Sequence, residues 1–130
     1  MKFEMVISAR DGSRAEILLD GHILQVFDYS SRHLYSFNTT SGEGSGRMIF
    51  EVSILFNPKW QAVTEFLESQ DWHEYYDQPN QSYLASWGII YENGPNEIVA
   101  GGQSSYPTGF KKLIKLINDL IADSKFKLQI

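Results

Sequence analysis

The amino-acid sequence predicts an α+β fold: a mainly antiparallel sheet of about six to eight strands, with one face packed against two helices. Three observations carry this. In the first half of the chain apolar residues alternate with polar ones, the period of a half-buried strand. Asp-Gly and Asn-Gly dipeptides punctuate the alternating runs, and such pairs supply the positive φ of hairpin turns at little steric cost. Only two stretches carry the helical period, and both lie later in the chain. The 130 residues suit a single domain, 1–130.

Residues 2–9 alternate Phe3, Met5 and Ile7. Asp11-Gly12 turns the chain into 14–20, where Ala15, Ile17 and Leu19 alternate with Arg14, Glu16 and Leu18. Asp20-Gly21 is a second such turn. Residues 22–29 and 33–38 read as two further strands parted by Ser30-Ser31. The stretch from Ser41 to Gly46 reads as a flexible link inside the sheet region. Residues 47–56 give the clearest strand, with Met48, Phe50, Val52, Ile54 and Phe56 on one side and Arg47, Glu51 and Ser53 on the other.

Asn57-Pro58 then opens a helix, because Asn caps orphan amides and Pro suits the first helical position. Trp60, Val63, Phe66 and Leu67 recur at helical spacing behind it. Residues 71–82 lack a period and read as a loop. Strand alternation returns over 83–92 (Tyr83, Ala85, Trp87, Ile89, Tyr91), and Asn93-Gly94 turns the chain into 96–100. Tyr106-Pro107 opens a second helix with the stripe Phe110, Leu113, Ile114, Ile117, Leu120 and Ile121. Phe126, Leu128 and Ile130 suggest a short last strand.

Composition excludes several chemistries. The chain has no cysteine, so disulfides, thiol nucleophiles, iron–sulfur clusters and Cys-based zinc sites are out. A net charge of −5 argues against general phosphate-backbone binding, so nucleic acid is not the expected partner. No apolar run is long enough to span a membrane. Glu4 interrupts the start where a signal peptide needs an unbroken apolar core, so the expected compartment is the cytoplasm. Charge is also uneven: residues 57–105 hold Lys59 against seven acids, whereas 106–130 hold five lysines against Asp119 and Asp123.

No motif brings a catalytic constellation with it. Gly42-Glu-Gly44-Ser-Gly46 is followed by a strand rather than a helix N-terminus, so it lacks the geometry of a phosphate cradle. It also misses the Gly-x-Ser-x-Gly pattern by one position. His22, His33 and His73 show no metal-ligand spacing, and neither a metal nor a cofactor is expected. Lys111, Lys112 and Lys115 oppose the apolar stripe of the last helix and read as a solvated face, with Lys115 and Asp119 paired at i,i+4. The most unusual segment is 72–77, Trp72-His-Glu-Tyr-Tyr-Asp77, which sets three large aromatics among acids. Aromatic anchors amid charge are what protein interfaces use.

From Trp87-x-Ile89-x-Tyr91-x-x-Gly94 the chain runs into Gly101-Gly102-x-x-x-Tyr106-Pro107-x-x-Phe110-x-x-Leu113. Residues 87–121 thereby resemble the ending of various small uncharacterised bacterial proteins. In those proteins a Trp-bearing hairpin leads through Gly and Tyr-Pro into an amphipathic helix. The resemblance implies an arrangement of elements and transfers no functional residue.

The expected function is therefore a non-enzymatic protein-interaction module for a basic partner. One concrete form is an inhibitor or immunity-type protein masking a basic toxin or enzyme, drawn in by electrostatic steering. Glu68, Asp71, Trp72, Glu74, Tyr75 and Tyr76 are the candidate partner-binding residues. The alternative is a small enzyme or small-ligand binder with a pocket between sheet and helices. His22, Asp28 and His33 are then the candidate ligand-site residues.

Overall fold

The computed structural model describes residues 1–9, 13–29, 47–77 and 85–128. Seven strands are present among the described residues: β1 Lys2–Ser8, β2 Arg14–Asp20, β3 Ile23–Asp28, β4 Arg47–Ser53, β5 Tyr75–Asp77, β6 Ser86–Asn93 and β7 Asn96–Gln103. Helices α1 (Pro58–Glu68) and α2 (Phe110–Leu120) accompany them. The strands form one open sheet in the order β4-β3-β2-β1-β6-β7-β5. Every pairing among the described residues is antiparallel except that of β5 with β7. The class is α+β, as the alternation and the two helical stripes imply.

Tight turns hold the hairpins in register. Gly21 and Gly94 sit at φ values of 64° and 60°, where a side chain would be strained. With register fixed, the two-residue period sends alternate side chains to opposite faces. One face carries Phe3, Met5, Ile7, Ile17, Leu24, Val26, Ile89 and Tyr91, none more than 5% exposed.

The helices cover that face. In α1 the Asn57 Oδ1 accepts from the amides of Lys59 (3.0 Å) and Trp60 (3.2 Å), satisfying two of the orphan donors at the helix start. Trp60, Val63 and Leu67 are the buried side chains of α1. The Trp60 ring meets Phe3 edge-on, with centroids 5.3 Å apart. Helix α2 buries Phe110, Leu113, Ile114, Ile117 and Leu120. Each such side chain contributes about 1.5–3 kcal/mol on leaving water.

Four local expectations are corrected. The strand over 47–56 ends at Ser53, and its apolar side is broken. Register shifts at Val26/Phe27, so Met48 pairs with Phe27 and Ile49 is passed over. One extra residue reverses which face the following side chains take. Phe50, Val52 and Ile54 stay against the core, while Met48 is 45% exposed and Phe56, with φ of 53°, is 96% exposed. Within the presumed loop 71–82 lies the short strand β5. Helix α2 starts at Phe110, not at Pro107, whose carbonyl accepts the Phe110 amide at 3.1 Å.

Residues 126–128 are not a strand. Instead the Asn118 side chain holds Leu128 by both backbone groups, accepting from its amide (2.8 Å) and donating to its carbonyl (3.2 Å). Asp11-Gly12, residues 33–38, the Ser41–Gly46 link, Tyr83 and Ile130 lie outside the described residues.

Candidate functional site

The strands that build the core also build a second face, which no described helix or loop covers. Pairing aligns one row across the whole sheet: Met48, Phe27, Glu16, Val6, Gly88, Gly101 and Tyr75. Beside it runs Glu51, Gln25, Leu18, Glu4, Ile90 and Val99. Val6, Leu18, Phe27 and Ile90 are half-buried, and Val99 is 47% exposed. These apolar groups are interleaved with Glu4, Glu16 and Glu51 and bounded at one end by Asp20, Glu92 and Glu97. Among the described residues Lys2 and Arg14 are the cations on this face, and Arg14 lies 3.9 Å from Glu16.

Two glycines shape the middle of the face. Gly88 and Gly101 are paired neighbours, so the row carries no side chain between Val6 and Tyr75. Three strand spacings of roughly 4.8 Å separate those two residues by about 14 Å. The result is a strip of bare backbone with an apolar residue at one end and an aromatic ring at the other. A partner's backbone or a flat side chain can approach such a strip closely.

The aromatic segment after α1 divides between the two faces. Tyr75 pairs with Gly101 and stands 55% exposed on the open side, with Asp71, His73 and Glu74 also exposed. Tyr76 pairs with Gly102 and turns inward, its ring 5.9 Å from Trp87. Trp72 is half-buried between Phe66, Trp87 and Phe110, and its Nε1 donates to the Thr108 carbonyl at 3.2 Å. Trp87 is the hub of this cluster: it also packs on Tyr106 and donates to the Ser105 carbonyl at 2.7 Å. Gly102 makes the packing possible, since a Cβ there would lie 2.5 Å from the Tyr76 carbonyl and 2.9 Å from Trp87 Nε1. Of the three large rings in 72–76, Tyr75 alone stands exposed.

Glu68 ends α1 exposed, yet it is tied to the sheet. The Tyr91 hydroxyl donates to its Oε2, and Asn93 Nδ2 donates to the same oxygen at 3.1 Å. Tyr91, chiefly through burial and then through that carboxylate, is pushed up to about 12. Glu68 is lowered by the two hydrogen bonds, Tyr91's first. The pair flanks a shallow depression of about 210 Å³ lined by Leu67, Gln70, Pro95 and Ile98. It clamps helix to sheet, a role that linear spacing could not reveal because 23 residues separate the partners.

His22 and Asp28 are not brought together. His22 is exposed in the β2–β3 turn and Asp28 closes β3 at its far end, about 20 Å away along an extended chain. His33 lies outside the described residues. Among the described residues no three His, Asp or Glu side chains converge as metal ligands. No described helix is long and apolar enough to cross a membrane. No protein-family model matches the chain, and no match to it was found among curated proteins or solved structures.

The open-face residues Val6, Leu18, Ile90 and Val99 were absent from the sequence-based candidates. The signal was present in the alternation, which places them opposite the core set. It was masked because an apolar residue in a strand is ordinarily counted toward the core.

Proposed function

We propose that this chain is a protein-interaction module whose acidic open sheet face receives a basic partner. The observation that carries the reading is the row pattern: among the described residues, half-exposed apolar groups interleaved with six carboxylates against Lys2 and Arg14. Apolar groups supply contact area, and the surrounding charge steers encounter and rejects acidic surfaces. Tyr75, with Asp71 and Glu74 beside it, extends the same surface at the β5 edge. An inhibitor or immunity-type protein masking a basic toxin or enzyme is the concrete form this takes.

Capture from the source cell at low salt tests it. Wild-type bait should retain a basic protein that elutes as salt rises. Bait carrying Glu4→Lys and Glu16→Lys should lose it, whereas bait carrying Lys59→Glu on the helical side should keep it. Equal recovery on all three baits, with unchanged circular dichroism, would overturn the reading.

A further inference from the structure

The helical side of the molecule has the opposite character. Lys111 and Lys115 lie on the solvent face of α2, and Lys125 and Lys127 lie on the segment that returns beside it. Together they rim one groove of about 510 Å³. Its floor is apolar, with Ile114 buried and Phe126 half-buried. The walls are fixed by the paired Asn118–Leu128 hydrogen bonds and by Ser124, whose Oγ accepts the Phe126 amide at 3.0 Å. Asp119 is the acidic residue of the lining, and the expected Lys115–Asp119 ion pair is not formed. Among the described residues none of the four lysines has a carboxylate within 4.0 Å.

We infer that this groove binds a small anionic amphiphile: an apolar body seated on Ile114 and Phe126, with a carboxylate or phosphate held by the lysines. The volume falls in the range of small-molecule sites, roughly 300–1,000 Å³. Lysine suits such a site because its methylene stem extends an apolar wall while its ammonium reaches the rim. Four lysines lining one concavity raise the local concentration of anions, despite the net charge of −5. An apolar floor alone would accept any hydrophobe. Its lysine rim selects for negative charge, so the ligand must carry both features.

The inference is independent of the sheet face and is read by a different experiment. The 15N-labelled protein is titrated with decanoate, decyl phosphate, inorganic phosphate and decyltrimethylammonium, each below its micelle concentration. Saturable amide shifts confined to residues 111–127 are expected with decanoate, decyl phosphate or both. The tighter of the two assigns the head group as carboxylate or phosphate. Inorganic phosphate and the cationic amphiphile should give no saturable shift there. Lys115→Glu with Lys127→Glu should weaken the amphiphilic anions at least tenfold, and Lys115→Gln with Lys127→Gln by less, with the circular dichroism melt unchanged. The proposal is overturned by absence of saturation, by shifts on β1 and β6 instead, by equal binding of the cation, or by indifference to the lysine variants.

Discussion

The two faces of the sheet are built from the same strands and differ in what stands between the apolar residues. On the covered face, Phe3, Met5, Ile17, Leu24 and Ile89 belong to the buried apolar cluster that includes the helices' buried side chains, and each is at most 2% exposed. On the other face Val6, Leu18 and Ile90 have Glu4 or Glu16 as cross-strand neighbours. A helix laid over that face would bury carboxylates without partners, which costs several kcal/mol per ion. The interleaved acids therefore keep the chain's own helices off the second face, while a partner bearing cations can satisfy them. Hydrophobicity alone does not separate the core face from the open face here; the cross-strand neighbours do.

The largest expected difference lies in packing. Ile117→Ala on α2 should cost about 2–5 kcal/mol, as full burial implies. Val99→Ala on the open face should stay within about 0.5 kcal/mol. Denaturant unfolding of both variants checks this, and similar losses would mean that the second face is packed after all. Next come the glycines. Gly102→Ala should cost about 1–3 kcal/mol by overpacking against Tyr76 and Trp87. At Gly88 an added Cβ meets nothing nearer than 4.0 Å, so Gly88→Ala should be close to neutral in the same assay.

A third test divides the aromatic segment. Trp72→Ala and Tyr76→Ala should lower the melting temperature, because their rings complete the Trp87 cluster. Tyr75→Ala should leave melting nearly unchanged and act on partner capture instead.

The smallest effect concerns pH. Tyr91 is held at about 12 in the fold against 10.0 unfolded. Its contribution is fully present below pH 10 and is lost as pH rises through about 12. The Glu68 contribution has the opposite sense: present above the ordinary value of 4.5, it is lost as pH falls through the lowered folded value. Unfolding midpoints across pH 9–12 should therefore fall more steeply for the wild type than for Tyr91→Phe.

How much of this was legible in the sequence follows from how local each feature is. Alternation and turn dipeptides placed β1, β2, β3 and β6, and Asn57-Pro58 placed the start of α1, since each depends on neighbours a few residues apart. Strand β5 was hidden because three residues carry no usable period, and its pairing with Gly101 and Gly102 is set by tertiary packing. The shift past Ile49 was hidden for the same reason: a bulge is defined by the partner strand. At the site, exposed charge at Asp71 and Glu74 was readable from composition. The split of Trp72, Tyr75 and Tyr76 was not, because it depends on which face of β5 each residue takes.

The absence of cysteine makes the most direct test simple. A single thiol is placed at Val99→Cys on the open face or at Lys59→Cys on the helical side, and its modification rate by a maleimide is measured with and without the captured basic partner. If the open face is the interface, the partner slows modification at position 99 at least tenfold and leaves position 59 unchanged. Unchanged reactivity at position 99, or protection at position 59 instead, would contradict the account.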